Sequence, residues 1–227
     1  MPLPPKKKER RELIGSVLHF RGVQGDRWRV SALFVLTGAA EPPDMAVDGV
    51  MLPVPPRHVV SQGRHHVWRW EFAVPRAADD TRAGYGFRGG DRWYMTVPGL
   101  SGRPRIAYTA CNGTEDESVF SQQDLPRNAR WGHLNAQHRA RPFHLLLHGG
   151  DQLYADAVWD DCPSLRQWSS LPSREQLSAP FTPAMSEEVE NFYFDLYCRQ
   201  WSQAEAATLL STVPSVMMWD DHDIFDG

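Results

Sequence analysis

Three short apolar segments in the second half of the sequence constrain its fold most, because helical patterns separate them. The segments are RIAYTAC, FHLLLHGG and VPSVMMW. A helix is predicted between the first two, around Asn128 to Arg139. Between the last two, SEEVENFYFDLYCRQW repeats its apolar residues at helical spacing from Val189 to Trp201, and the short helix QAEAATLLS follows. Alternation of strand and helix is typical of an α/β domain with a mainly parallel sheet.

The region from residue 13 to 100 has a different pattern. Its apolar segments LIGSVLHF, RWRVSALFVLTG, HHVWRWEFAVP and RWYMTVPG are rich in β-branched and aromatic residues, and Gly, Pro and Asp separate them. This pattern predicts a small antiparallel sheet or sandwich, in which His65 and His66 occupy alternating strand positions rather than metal sites. The break at PGLSGRP divides this β-rich domain, 13–100, from the α/β domain, 101–227.

Charge and composition exclude several classes of function. The chain has 227 residues and a net charge of -4, which gives no overall attraction to nucleic acid or an acidic membrane. The basic cluster KKKERR lies in residues 1–12, for which we predict a flexible, solvated terminus. No apolar stretch approaches the roughly 20 residues of a membrane span, and no signal-peptide pattern follows Met1, so we expect a cytoplasmic protein. Three cysteines without paired spacing do not predict a disulfide framework.

Side chains that can bind a metal follow each of the three apolar segments. Cys111 ends the first, Asp151 and Tyr154 follow the second in GGDQLYAD, and DDHD, from Asp220 to Asp223, follows the third. Because the carboxyl ends of parallel strands meet at one edge of a sheet, we expect these groups in one crevice. Each alone is also explained as a turn, a helix cap or a packing residue. Several carboxylates buried together would repel one another unless a cation lies between them.

The types of ligand narrow the choice of metal and reaction. Carboxylates suit calcium, magnesium or manganese, imidazole suits zinc or iron, and a tyrosinate with a thiolate suits ferric iron. A metal of this kind lowers the pKa of bound water and holds a phosphoryl oxygen, which predicts hydrolysis of a phosphate ester. Gly149 and Gly150 are expected either to let the metal and substrate approach the backbone or to form an ordinary turn.

The motifs GDQLYAD and WDDHD, with a preceding strand that ends in Cys, resemble the PhoD-like (alkaline phosphatase D) family of metallophosphatases over residues 105–227. The resemblance implies a metallophosphatase-type α/β sandwich, hydrolysis of phosphate monoesters or diesters, and ferric iron with calcium, or other divalent metals. It implies that Cys111, Asp151 and Tyr154 bind iron, with Asp151 bridging to calcium. By the same resemblance Asp221 binds the second metal, and His222 faces the phosphate as a catalytic group.

One departure from the family leaves alternatives open. The family continues beyond its WDDH motif, so we expect the C-terminal part of the sandwich, with further ligands, to be missing from a fragment or a truncated relative. Asp220 and Asp223 are then candidates for supporting the ligands. The alternative function is a non-catalytic binding or scaffold protein with a degenerate metallophosphatase domain. Arg127, Arg130 and Arg199 could contact an anionic substrate or lie at the surface.

Overall fold

The computed structural model of the protein describes residues 12–38, 41–113 and 127–225. The predicted basic terminus lies almost wholly outside these ranges and stays a prediction. The strands of the described residues are β1 (Glu12–Gln24), β2 (Arg27–Thr37), β3 (Met45–Val47), β4 (Val50–Met51), β5 (Arg57–Gln62), β6 (His65–Pro75), β7 (Thr81–Phe87), β8 (Arg92–Val97), β9 (Ile106–Thr109), β10 (Leu145–His148) and β11 (Ser215–Met217). The helices are α1 (Ala129–Ala140), α2 (Val158–Asp161), α3 (Pro163–Ser169), α4 (Ser173–Gln176), α5 (Pro183–Trp201) and α6 (Ala204–Thr212), and a 3-10 turn spans Asp221–Asp223.

Two sheets organise these elements. The larger has seven strands in the order β5-β6-β2-β1-β11-β10-β9, and the smaller has four in the order β4-β3-β7-β8. The strands β9, β10, β11 and β1 run parallel to one another. The remaining pairs are antiparallel: β1 pairs with β2, β2 with β6, and β6 with β5 in opposite directions. The predicted mixed α/β fold is therefore confirmed.

The antiparallel half of the large sheet has a hydrophobic core on each face. On one face it packs against the small sheet, through the fully buried side chains of Phe34, Trp70 and Tyr85 among others. On the other face Val17 and Val35 pack with Leu210 of α6 and with side chains of α5. Alternating apolar residues along β1 and β2 make both cores possible, because successive side chains point to opposite faces.

The described residues cover only one face of the parallel half of the large sheet. Ala107 of β9 and Leu146 of β10 pack under α1 and α6. On the other face Tyr108, Leu147 and Val216 form a row across the three strands, and Ile106 lies beside it. Tyr108 is 67% exposed, Ile106 52% and Val216 44%, although parallel sheets normally bury both faces.

Contacts cross the predicted domain boundary near residue 100. His19 of β1 is paired with Ser215 of β11, so one sheet includes strands from both sides. The Asp80 carboxylate accepts hydrogen bonds from Gly99 N–H at 2.9 Å and from Arg105 Nη2 at 2.8 Å. The Gly99 N–H bond is the largest cause that lowers the pKa of Asp80 to about 2, and Arg105 adds to it. The division into residues 13–100 and 101–227 stays a prediction, but the two regions share a sheet and a core.

The sequence patterns located most of the long elements correctly. The four predicted strands before residue 100 correspond to β1, β2, β6 and β8, and the three after it to β9, β10 and β11. All three predicted helices are present as α1, α5 and α6. The short elements β3, β4, β5, β7 and α2 to α4 had no prediction. No helix of the described residues is both long and apolar enough to cross a bilayer.

Candidate metal centre

Two tight turns, one after β9 and one after β10, build the base of the candidate site. Cys111 and Asp151 both have positive φ angles, 59° and 51°, which are uncommon for residues other than glycine. The turns are joined by hydrogen bonds from Cys111 N–H to the Gly150 carbonyl, at 3.1 Å, and from Asn112 N–H to the Asp151 carbonyl, at 2.7 Å. Parallel pairing of β9 with β10 thus continues past the strand ends and fixes Cys111 beside Asp151.

The two glycines before Asp151 allow neighbouring side chains to approach the backbone. A Cβ on Gly149 would lie 2.1 Å from the Tyr108 hydroxyl oxygen. Gly150 has a φ of 106°, and its Cβ would lie 2.5 Å from the Cβ of Asp220. The close approach of Tyr108 and Asp220 explains why both positions are glycine, whereas the prediction that these glycines admit metal and substrate stays a prediction. Gly150 brings Asp220 close to Asp151.

Three carboxylates converge above these turns. Asp151, Asp220 and Asp221 each offer an oxygen, and the three oxygens lie within 4.8 Å of one another. Asp151 is only 8% exposed, and its Oδ1 is buried without a hydrogen-bond partner among the described residues. A buried carboxylate oxygen without a donor is costly unless a cation satisfies it. This donor set fits a hard metal ion.

Cys111 contacts the same cluster through Asp151. Its Sγ donates a hydrogen bond to Asp151 Oδ2 at 3.3 Å. That bond raises the pKa of the Cys111 thiol above its usual value, and burial and the charges of Asp151, Asp220 and Asp221 raise it further. The carboxylates therefore keep the thiol protonated, whereas a bound cation would favour the thiolate.

Asp223 holds the two acidic loops together. It is 4% exposed, and its Oδ1 accepts the backbone N–H groups of Gln152, at 2.9 Å, and Leu153, at 3.0 Å. Its Oδ2 accepts the N–H of Asp220 at 3.1 Å. Because these three donors lie in the loop after β10 and the loop after β11, Asp223 sets the position of Asp220 relative to Asp151.

His222 is oriented by Asp156 and covered by Tyr154. Its Nδ1 lies 3.0 and 3.1 Å from the Asp156 oxygens, and since a carboxylate only accepts, Nδ1 carries the proton. Burial lowers the pKa of His222, but the hydrogen bond and charge of Asp156, with Asp221 and Asp151, outweigh it and raise the pKa above its usual value. The Tyr154 ring stacks on the imidazole with centroids 4.7 Å apart.

The structure brings the five predicted metal ligands and catalytic residues to one edge of the sheet, in two groups. Asp151 and Asp221 lie in the carboxylate cluster, which Cys111 contacts, whereas Tyr154 lies against His222. Asp220 belongs to the cluster itself, although it was predicted only to support the ligands. Asp156 had no predicted role, and its only sequence signal is its place at the end of GDQLYAD. Whether each residue binds a metal stays a prediction.

The fold is similar to that of a solved PhoD protein. The solved "Structure of PhoD" aligns with 98% of this chain at a TM-score of 0.50, with 12% sequence identity. At that identity the likeness establishes the fold. Residues 128–227 match the family of PhoD related phosphatases. The resemblance predicted from the motifs is thus confirmed, because the family match and the solved structure both support a PhoD-like family.

A relative in yeast gives a second comparison. An uncharacterized protein of Saccharomyces cerevisiae, YGR266W, is 25% identical over 184 residues, which cover 71% of this chain. The alignment covers 25% of the yeast protein, and this chain covers 41% of PhoD. The chain therefore spans well under half the length of the proteins that it matches.

Proposed function

We propose that this chain carries the metal site of a phosphoric ester hydrolase. The observation that supports the proposal most is the cluster of Asp151, Asp220 and Asp221, in which one buried oxygen has no donor among the described residues. A cation would stabilise like charges at this spacing, and the cluster lies where ligands bind in open α/β sheets. Similarity to a phosphatase family makes a phosphate ester the natural substrate.

The proposed metals are ferric iron and calcium, and other divalent ions could take the same donors. Asp151 would be shared by both ions, Cys111 and Tyr154 would bind iron, and Asp221, with Asp220 as an added candidate, would bind the second ion. When bound, the metals supply an activated water and charge for the phosphoryl oxygens. The protonated His222 would then donate a hydrogen bond to the phosphate or a proton to the leaving oxygen.

Asp156 would support this role of His222. Asp156 accepts the hydrogen bond of His222 Nδ1–H, so Nε2 is the ring nitrogen that can face a substrate. The carboxylate also favours the charged imidazolium, which is the form that stabilises a developing negative charge. We therefore propose Asp156 as a residue that orients and charges His222 without touching the substrate.

The finer fold is part of the proposal. A metallophosphatase-type α/β sandwich would have a further layer over the exposed row of Tyr108, Leu147 and Val216, because apolar parallel sheets are normally covered on both faces. The expectation that the C-terminal part of the sandwich is missing stays a prediction. The predicted cytoplasmic location stays a prediction.

Metal content and hydrolysis test the proposed site together. Asp151→Asn should lose bound metal, measured by elemental analysis, and should lose hydrolysis of bis(para-nitrophenyl) phosphate. Asp161→Asn is the matched control, since Asp161 ends α2 as an exposed residue outside the cluster. If iron is bound, a visible tyrosinate absorption band should disappear in Tyr154→Phe. Unchanged turnover in Asp151→Asn would exclude this site, and a folded, metal-free wild type would favour the scaffold alternative.

A further inference from the structure

A cavity of about 650 Å³ adjoins the carboxylate cluster. Cys111 and Asp151 line it next to the candidate metals, and Arg130, Trp131 and His133 of α1 line another part of it. Its volume suits an organic molecule much larger than a phosphate ion. The cavity therefore has space for the ester substituent of a phosphate held at the metals.

Two aromatic rings line the cavity, and a hydrogen bond joins one of them to the turn after β9. Trp131 Nε1 donates a hydrogen bond to Asn112 Oδ1, and the Asn112 N–H bonds to the Asp151 carbonyl at 2.7 Å. His148 also lines the cavity, and its ring centroid lies 6.0 Å from that of Trp131. His148 is 7% exposed, and its Nε2 has no partner among the described residues. The two rings, inclined at 36° to each other, thus lie in the lining of the cavity at a position that the turn beside Asp151 fixes.

Helix α1 places positive charge in the lining of the cavity. The first turn of α1 contains Arg130 and no acidic residue, and the helix has its positive end there. Asn128 and Asn135 hold α1 against α6 through hydrogen bonds of 3.1 and 2.7 Å to Glu205. His133 lies one turn further along α1 in the same lining. Arginine with a helix N-terminus favours a phosphate or carboxylate group.

We infer that the site acts on phosphodiesters whose retained substituent, the one that is not the leaving group, has a flat ring and, beyond the ring, a second anionic group. The scissile phosphate lies at the carboxylate cluster, the ring lies along Trp131 and His148, and the second anion contacts Arg130. This inference rests on the proposed hydrolase function and adds the class of substrate. A simple alkyl phosphodiester would leave both the two aromatic rings and Arg130 without a contact.

A series of three chromogenic diesters tests the inference with the full chain. The substrates are methyl para-nitrophenyl phosphate, the para-nitrophenyl ester of thymidine monophosphate, and that ester with a second phosphate on the sugar. All three release para-nitrophenolate, so kcat/KM should rise at each step of the series. The second phosphate should add about fivefold at low ionic strength. In Arg130→Gln the gain in kcat/KM from the second phosphate should fall below about twofold. The gain from methyl to thymidine should be the same as in the wild type.

Arg139→Gln is the matched control, because Arg139 is exposed in the last turn of α1 and does not line the cavity. It should keep all three rates. Calorimetric binding of thymidine bisphosphate, which needs no turnover, separates this inference from the proposed function. Binding that depends on Arg130 in a protein without turnover would uphold the cavity assignment and reject the hydrolase. Equal kcat/KM for the three diesters, or binding that is the same in Arg130→Gln, would overturn the inference.

Discussion

Replacement of Asp223 tests how the two acidic loops are held together. In Asp223→Ala the buried N–H groups of Gln152 and Leu153 and the partly buried N–H of Asp220 lose their acceptor. A buried donor without an acceptor costs about 1–3 kcal/mol, and water that enters the space left by the side chain recovers part of this. We therefore expect a loss of about 3 kcal/mol from the free energy of unfolding. That is a large share of the roughly 5–15 kcal/mol by which native proteins are stable.

Two further variants refine this prediction. Asp223→Asn keeps one oxygen for Gln152 and Leu153 but presents an amide donor to the Asp220 N–H, so we expect a smaller loss of about 1–2 kcal/mol. Asp221→Asn is the control, because Asp221 is exposed in the same turn; without metal it should not lower stability, since it removes one of the like charges of the cluster.

Urea unfolding followed by tryptophan fluorescence, with a chelator present, measures all three free energies without a contribution from metal binding. The reasoning would be refuted if Asp223→Ala matched the wild type within about 0.5 kcal/mol, the range expected of a surface change. It would also be refuted if Asp221→Asn were as damaging as Asp223→Ala, because the effect would then come from the loss of charge rather than from the three hydrogen bonds.

Two more predictions concern the turn after β10 and the histidine that precedes it. Gly150→Ala should weaken metal binding and lower stability by more than about 1 kcal/mol, because φ at Gly150 is 106° and the new Cβ would lie 2.5 Å from Asp220. Gly102→Ala is the control, because the space around Gly102 is open. Equal metal affinity in the two variants would contradict the prediction. Burial, with His19 nearby, lowers the pKa of His148 to about 4, so the folded protein holds it neutral while the unfolded chain binds a proton below about pH 6.5. Its contribution to stability is therefore complete above pH 6.5 and is lost as the pH falls to about 4, by up to about 3 kcal/mol. Urea unfolding at pH 7 and pH 4.5 should show a smaller drop for His148→Gln than for the wild type, and an equal drop would reject this role of His148.

The sequence by itself determined the α/β class, the long strands and helices, and the residues that follow the parallel strands. These features depend on local periodicity and on the rule that parallel strands end at the same edge, so no long-range information was needed. The motifs around Asp151 and Asp221 also carried the family resemblance. Short elements such as β3 and β4 could not be predicted, because two or three residues contain no clear period and form strands only through their pairing with β7.

Only the tertiary structure decided which role each residue of the site has. Asp220, Asp221 and Asp223 have the same side chain within four positions, yet Asp223 is buried under three N–H donors while the other two face Asp151. The pairing of Asp156 with His222 spans 66 residues of sequence and leaves no local signal. The sharing of one sheet across the boundary near residue 100 likewise depends on where β1 meets β11. Burial and hydrogen-bond direction come from distant parts of the chain, so these roles could be assigned only once the strands and loops were placed together.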